Sequence, residues 1–443
     1  MKKYFKEMTT EKYIFWGIII LLFAVRVAAF FDLGATYNLD SDDANYVLSG
    51  MHFAKTGELI MHGVRSAQIM PLLTWMLAIL SIFGRTFEGT LILGRILMFV
   101  FGVASAAGVY AIIRMYAKPL FGYLGMLFFI LPPYIWMDNL VLTESAFQFA
   151  FVFAVYYTIK LAKSRSLKDL LWVSFYYMFG FLLKANFGVY PAFAFIYLLL
   201  ERYPIKLWFK HGLIMFSILI AFLIPWTIRN YIQFDHFIPT TYGAGNPTLL
   251  GTYQGYGYPD PSRDEGFLES IQDDFDKARE GYYDPETDTY TPSYMRKYFA
   301  LEHDALFASA RLDAWRSENL KSYIYSTVYS KPKEMVESYF YWHSVFGIET
   351  LGTFHPRLIK VGILATMIGF FISKKTRTLM FLLGSLYYGN LIIYSFTFSF
   401  NRYAATLHFL MIVALMVELG TFYEFIKRKV KVRNESLTNN PSL

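Results

Sequence analysis

The chain contains no cysteine. Disulfides, thiol nucleophiles and cysteine-ligated metals are excluded, and any segment outside a membrane must hold its shape by packing alone. Charge is scarce too: Asp, Glu, Lys and Arg make up 17% of the 443 residues, against about 25% in ordinary soluble domains. What fills the space is apolar, with 55% hydrophobic residues and 20% aromatics. These residues fall in blocks of roughly 17–25, the length that crosses a hydrocarbon core about 30 Å thick. The net charge of +7 sits in short basic clusters between the blocks. That placement fits a cytoplasmic lipid surface rather than nucleic acid, so membrane lipids are expected as partners and nucleic acid is not.

Spans are expected near 13–31, 89–113, 119–137, 140–161, 169–184, 186–201, 211–229, 357–373, 377–396 and 403–425. The basic Met1–Lys12 stretch reads as the flank of a retained signal anchor. Ile69–Phe83 is apolar but short, and charge decides its place. If it does not cross, five basic clusters share the side of the N-terminus: Arg114/Lys118, Lys160–Lys168, Arg202–Lys210, Lys374–Arg377 and Lys427–Arg433. If it crosses, all five move outside, against the positive-inside rule. It is therefore expected to lie in the outer interface. The result is an all-α polytopic membrane protein with about ten transmembrane helices and both termini in the cytoplasm. Residues 32–88 form the first extracytoplasmic loop and 230–356 a long second loop or small cap. Within the latter, Gly266–Arg279 and Pro292–Leu320 look helical. Residues 357–426 hold the last spans, and 427–443 a basic tail that turns polar and disordered from Asn434.

Chemistry concentrates at a few points. Asp40-Ser41-Asp42-Asp43-Ala44-Asn45-Tyr46 follows the first span. Ser41 could cap a helix running through Phe53, with Asp42 and Asp43 favoured in its first turn by the helix dipole. Equally, crowded carboxylates near a membrane surface suit a general base, because like charges push one pKa toward neutrality. Glu144 opens the span after the Asp138-Asn139 turn, where an ionisable residue is either a cap or functional. Lys184-Ala185-Asn186, Pro225-Trp226-Thr227-Ile228-Arg229-Asn230 and Asn401-Arg402-Tyr403 each place a cation on that same face. Snorkelling anchors explain any one of them. Together with two acidic sites they outline a pocket for an anion, and a lipid phosphate suits arginine's bidentate fork. Asp284, Glu286 and Asp288 alternate like a calcium loop but lack its glycine and closing glutamate. Gly243-Ala244-Gly245-Asn246 lacks the preceding strand of a dinucleotide site.

These motifs, taken in order, resemble those of the integral-membrane GT-C glycosyltransferases, in particular bacterial relatives of protein O-mannosyltransferases and of the aminoarabinose transferase acting on lipid A. The resemblance is carried by Asp42-Asp43-Ala44-Asn45-Tyr46, Pro71-Leu72-Leu73-Thr74-Trp75 with Phe83-Gly84, Thr143-Glu144, Pro225–Asn230 and Arg402-Tyr403. It covers residues 10–250 well and the last spans loosely. It implies a GT-C fold with outer-face juxtamembrane helices, in which residues 1–229 form the catalytic module. It also implies transfer of a hexose or pentose, with inversion, from a polyprenyl-phosphate carrier to a saccharide, lipid or protein acceptor of the cell envelope at the extracytoplasmic face. Carried over, Asp42 or Asp43 is the base and Glu144 the second catalytic acid. Asp40, Tyr46, Lys184, Arg229, Asn230, Arg402 and Tyr403 would bind substrate, the cations clamping the carrier phosphate. No cofactor is demanded, although a divalent metal remains an option. The chain departs from the pattern in having Asp at the second acid and an extra Asp40. The competing reading is a transporter or flippase of a lipid-linked saccharide, which would place ionisable residues at mid-membrane and show repeated halves. Arg26 and Arg95 are the only partial signs of that.

Overall fold

The computed structural model describes residues 2–439 apart from 338, 350 and 351. Helices dominate because the apolar blocks must satisfy their own backbone within a hydrocarbon medium. The first half runs α1 (Lys2–Leu33), α2 (Asp42–Thr56), a small hairpin of β1 (Ile60–Met61) and β2 (Val64–Arg65), α3 (Leu72–Gly84), α4 (Phe87–Arg114), α5 (Pro119–Leu127), α6 (Pro132–Met137), α7 (Thr143–Ser164), α8 (Leu167–Phe181), α9 (Tyr190–Leu200) and α10 (Ile205–Phe234). The cap follows: α11 (Gly245–Thr252), α12 (Asp264–Ala278), the antiparallel pair β3 (Tyr283–Asp284) and β4 (Thr289–Tyr290), α13 (Met295–Glu318), α14 (Leu320–Tyr325) and, after a π-helical turn at Ser326–Ser330, α15 (Lys331–Glu337). Then come α16 (Phe354–Phe371), α17 (Arg377–Ser395), α18 (Asn401–Ala405) and α19 (His408–Asn439).

Every expected span is helical, but their lengths differ. Among the described residues seven helices are long and apolar enough to cross a membrane: Thr10–Leu33 and Asn401–Lys431 at the ends, and α4, α7, α10, α16 and α17 between them. The three remaining segments are shorter. The 119–137 block breaks at Leu131, held extended ahead of Pro132-Pro133, as a residue before proline must be. The 169–184 block stops at Phe181 after 15 residues, about 22 Å of helix at 1.5 Å per residue. The 186–201 block begins as a 3-10 turn at Ala185–Val189 before α9 takes over. Ile69–Phe83 becomes α3, only 13 residues long, with Leu73 and Leu77 buried and Ile79, Ile82 and Phe83 exposed. The two helical patches of the second loop are α12 and α13. Where a disordered tail was expected from Asn434, helical backbone continues to Asn439; residues 440–443 lie outside those described.

Buried charge locks the bundle. Arg26 of α1 donates from Nε to Asp138 Oδ2 at 2.7 Å, with its other nitrogens on the carbonyls of Leu22 and Phe129. Gly102 of α4 makes room, since a Cβ there would lie 1.8 Å from Asp138 Oδ2. Arg95 likewise gives both Nη groups to the fold, Nη1 to the carbonyls of Gly34 and Ala35 and Nη2 to Asn139 Oδ1. At one end of the bundle Glu11 pairs with Arg114 and Lys118 with Glu424, so segments near both chain termini meet at the turn between α4 and α5.

Candidate active site

The site forms at the opposite ends of these helices. Chain reversal at Asp138-Asn139 leaves Leu142 extended and starts α7 at Thr143, so Glu144 falls in the first turn, where the helix dipole favours a carboxylate. Glu144 is fully buried. Two cations meet it there: Lys184, held in extended conformation after α8, reaches Glu144 Oε1 with Nζ at 2.7 Å, and Arg402 of α18 reaches the same oxygen with Nε at 2.7 Å. Arg402 then turns its Nη1 to Asp42 Oδ2 at 2.9 Å. One guanidinium thus bridges carboxylates from α2 and α7, and two acids balance two cations. Burial of a charge pair is costly unless it is well bonded, and this cluster meets that condition with bonds of 2.7–2.9 Å.

Aromatic rings wall the cluster. The Lys184 ammonium lies 4.9 Å from the Tyr403 ring centroid and 5.5 Å from that of Phe147, favourable cation–π distances. Tyr403 stacks on Tyr394 at 4.9 Å, and the Tyr394 hydroxyl accepts from Asn186 Nδ2 at 2.6 Å. Tyr46, one turn along α2 from Asp42, is buried; desolvation first, and then the Asp42 charge, raise its hydroxyl pKa above the ordinary value.

Asp43 points elsewhere. Its carboxylate accepts backbone N–H bonds from Leu39 (2.7 Å), Ser41 (3.3 Å) and Ala44 (3.0 Å), and it is fully buried. It closes the helix start that Ser41 was expected to cap, while the Ser41 side chain makes no cap bond. Asp40 is exposed, at φ 50°. Arg229 and Asn230 bond to neither carboxylate: Arg229 Nη1 donates to Ser66 O and to Asn230 Oδ1, and Asn230 Nδ2 donates to Ile238 O. They fasten the end of α10 to the loop after β2 and to the start of the cap. Of the residues singled out in the sequence, then, Asp42, Glu144, Lys184, Arg402, Tyr46 and Tyr403 converge, whereas Asp40, Asp43, Arg229 and Asn230 stand apart. Tyr394 and Phe147 were not singled out; both lie in aromatic-rich spans where no spacing distinguishes a site ring from a packing ring. Among the described residues, no three His, Asp or Glu side chains form a group that could hold a metal.

The family model for dolichyl-phosphate-mannose-protein mannosyltransferases matches residues 68–227. No curated protein matches. Among solved structures, the oligosaccharyltransferase AglB from Archaeoglobus fulgidus, in complex with an inhibitory peptide and a dolichol-phosphate, superposes with a TM-score of 0.53 at 14% identity over 96% of this chain and 52% of that one. ArnT from Cupriavidus metallidurans, bound to undecaprenyl phosphate, matches at a TM-score of 0.40 and 12% identity, over 91% of this chain and 78% of that one. The chain is a multi-pass helical membrane protein whose fold is similar to that of AglB, and the mannosyltransferase match over 68–227 agrees with the resemblance read from its motifs. It spans about half the length of AglB.

Proposed function

We propose that the chain is a membrane glycosyltransferase that moves a sugar from a polyprenyl-phosphate carrier to a hydroxyl-bearing acceptor of the cell envelope at the extracytoplasmic face. The observation that carries this reading is Arg402 bridging Asp42 and Glu144, with Lys184 on the same Glu144 oxygen. The fold and the mannosyltransferase family match over 68–227 support it. In the reaction, Asp42 takes the acceptor hydroxyl's proton as its oxygen attacks the anomeric carbon. The bond from that carbon to the phosphate oxygen breaks, and its electron pair leaves with the phosphate. Attack opposite the leaving group inverts the anomeric centre. Arg402 and Lys184 face the charge that gathers on the phosphate, and cations aimed at developing charge lower the barrier most where water is excluded. Glu144, buried between the two, holds both in place. Arg229 and Asn230 act in this scheme as cap fasteners, and Asp43 as the helix closure that aims Asp42.

Residues 1–229 would supply the base and the second acid, and 357–426 the arginine, so the site is built across the division between them. A crevice of about 720 Å³ between α9 and α10, lined by Tyr177, Gly188, Pro191, Phe195, Trp208 and Leu213, offers an apolar berth for the isoprenoid tail beginning four residues from Lys184. The flippase alternative draws on Arg26 and Arg95, and both guanidinium groups are engaged in tying segments of the fold together, Arg26 to Asp138 and Arg95 to Gly34, Ala35 and Asn139. The test is Asp42→Asn in purified protein with a polyprenyl-phosphate-linked sugar. Transfer should fall at least about 100-fold, the scale of general-base loss, with the melting temperature held. Undiminished transfer would sink the assignment.

A further inference from the structure

The segment Leu320–Ser330 in the cap has its polarity inside out. Leu320, Ile324, Tyr325, Val328 and Tyr329 recur on one helical face, and that face is exposed, Ile324 to 50%, Val328 to 66% and Tyr329 to 51%. The face turned into the protein is polar: Ser322, Ser326, Thr327 and Lys331 are all buried. In water a helix would present the reverse arrangement. The exposed rings also associate, Tyr325 with Tyr329 at 5.2 Å and with Tyr256 at 6.0 Å.

Its place in the fold says what covers it. The Lys331 ammonium donates to the carbonyls of Ser395 and Thr397, each at 3.1 Å, at the site-side end of α17. α17 is a candidate span, and its last turn exposes Ile392 and Phe396. The apolar face therefore continues the lipid-facing surface of a membrane helix at the height where that helix ends. Tyrosines concentrate at this level in membrane proteins because the ring is apolar and the hydroxyl is wet, and Lys321 and Lys333 flank the face with charges able to reach headgroups.

We propose that Leu320–Ser330 is a membrane-interface anchor, which docks the cap into the headgroup layer of the leaflet on the site's side. The proposal rests on the multi-pass fold and is independent of the catalytic reading. The anchor also bears on the site. Next to it, Gln254 exchanges two hydrogen bonds with the backbone of Ser399, and Asn401 Nδ2 donates to Tyr339 O. The loop held in this way carries Arg402, so lipid contact at the anchor steadies the residue that bridges Asp42 and Glu144.

The absence of cysteine makes the test direct. Val328→Cys and, separately, Ile324→Cys are spin-labelled in the full chain reconstituted in phosphatidylcholine–phosphatidylglycerol vesicles, with Glu286→Cys in the exposed β3–β4 turn as the aqueous reference. Relaxation by oxygen relative to a water-soluble nickel chelate should be at least about threefold higher at 324 and 328 than at 286, as for a face sunk in the interface. Equal ratios at the three positions would overturn the proposal. So would spin–spin broadening at 328 that dilution with unlabelled protein abolishes, since a second copy would then be the cover.

Discussion

A carboxylate that accepts three backbone N–H groups has little left to offer a substrate, and Asp43 is placed that way by Leu39, Ser41 and Ala44. Asp43→Ala should lower stability by about 1–3 kcal/mol through the unpaired donors it leaves, read as a fall in melting temperature. Asp42→Ala should also lower the melting temperature, because it leaves the largely buried Arg402 with Glu144 as its one carboxylate partner, but it should abolish transfer as well. At Lys331 the relevant variable is pH. Burial depresses its pKa from 10.5 to about 8. Between those values the unfolded chain holds the proton more tightly than the folded one, so stability should rise with pH across that window. Comparing melting at pH 7.5 and 9.5 checks this, and Lys331→Met should flatten the difference. At this scale the sequence located an acidic cluster but could not choose between neighbouring aspartates. The choice is made by Arg402, 360 positions away, and no local spacing encodes that.

Helix boundaries were legible where a block ran unbroken and blurred where it did not. Hydropathy counts apolar residues without registering that Leu131 is extended or that Ala185–Val189 is a 3-10 turn. This is why three expected spans are shorter than drawn. The cap helices α12 and α13 were readable from their periodicity, whereas the inverted polarity of Leu320–Ser330 needs the burial of each residue to be seen. Contact between elements adds another test. α11 passes so close to the loop after α17 that a Cβ on Gly251 would lie 1.8 Å from Thr397 O. Gly251→Val should push the cap from the spans, lowering melting by several degrees and weakening transfer along with it. Unchanged melting would show that this junction is soft.

For the whole molecule, pairing of Glu11 with Arg114 and of Lys118 with Glu424 gathers segments near both termini at the end away from the Asp42–Glu144 cluster. In the proposed orientation that end, with its basic clusters, is cytoplasmic and the site faces outward. Lys168→Cys and Lys206→Cys, both exposed, should resist an impermeant thiol reagent applied to intact cells and react once the membrane is opened. Labelling from outside would reverse the orientation. The multi-pass helical architecture was legible because the apolar blocks mark the spans, and the order of short motifs along the chain reflects which helix ends meet.

The two hydrogen bonds between Gln254 and Ser399 also bear on engineering. A cap grafted from a relative to change acceptor choice would arrive without its stitches to the arginine loop. Such a chimera should transfer poorly however well its new surface binds. An exchange that keeps Gln254, Gly251 and Lys331 from this chain, and replaces only what lies between Pro259 and Asn319, separates recognition from the seam that serves the site.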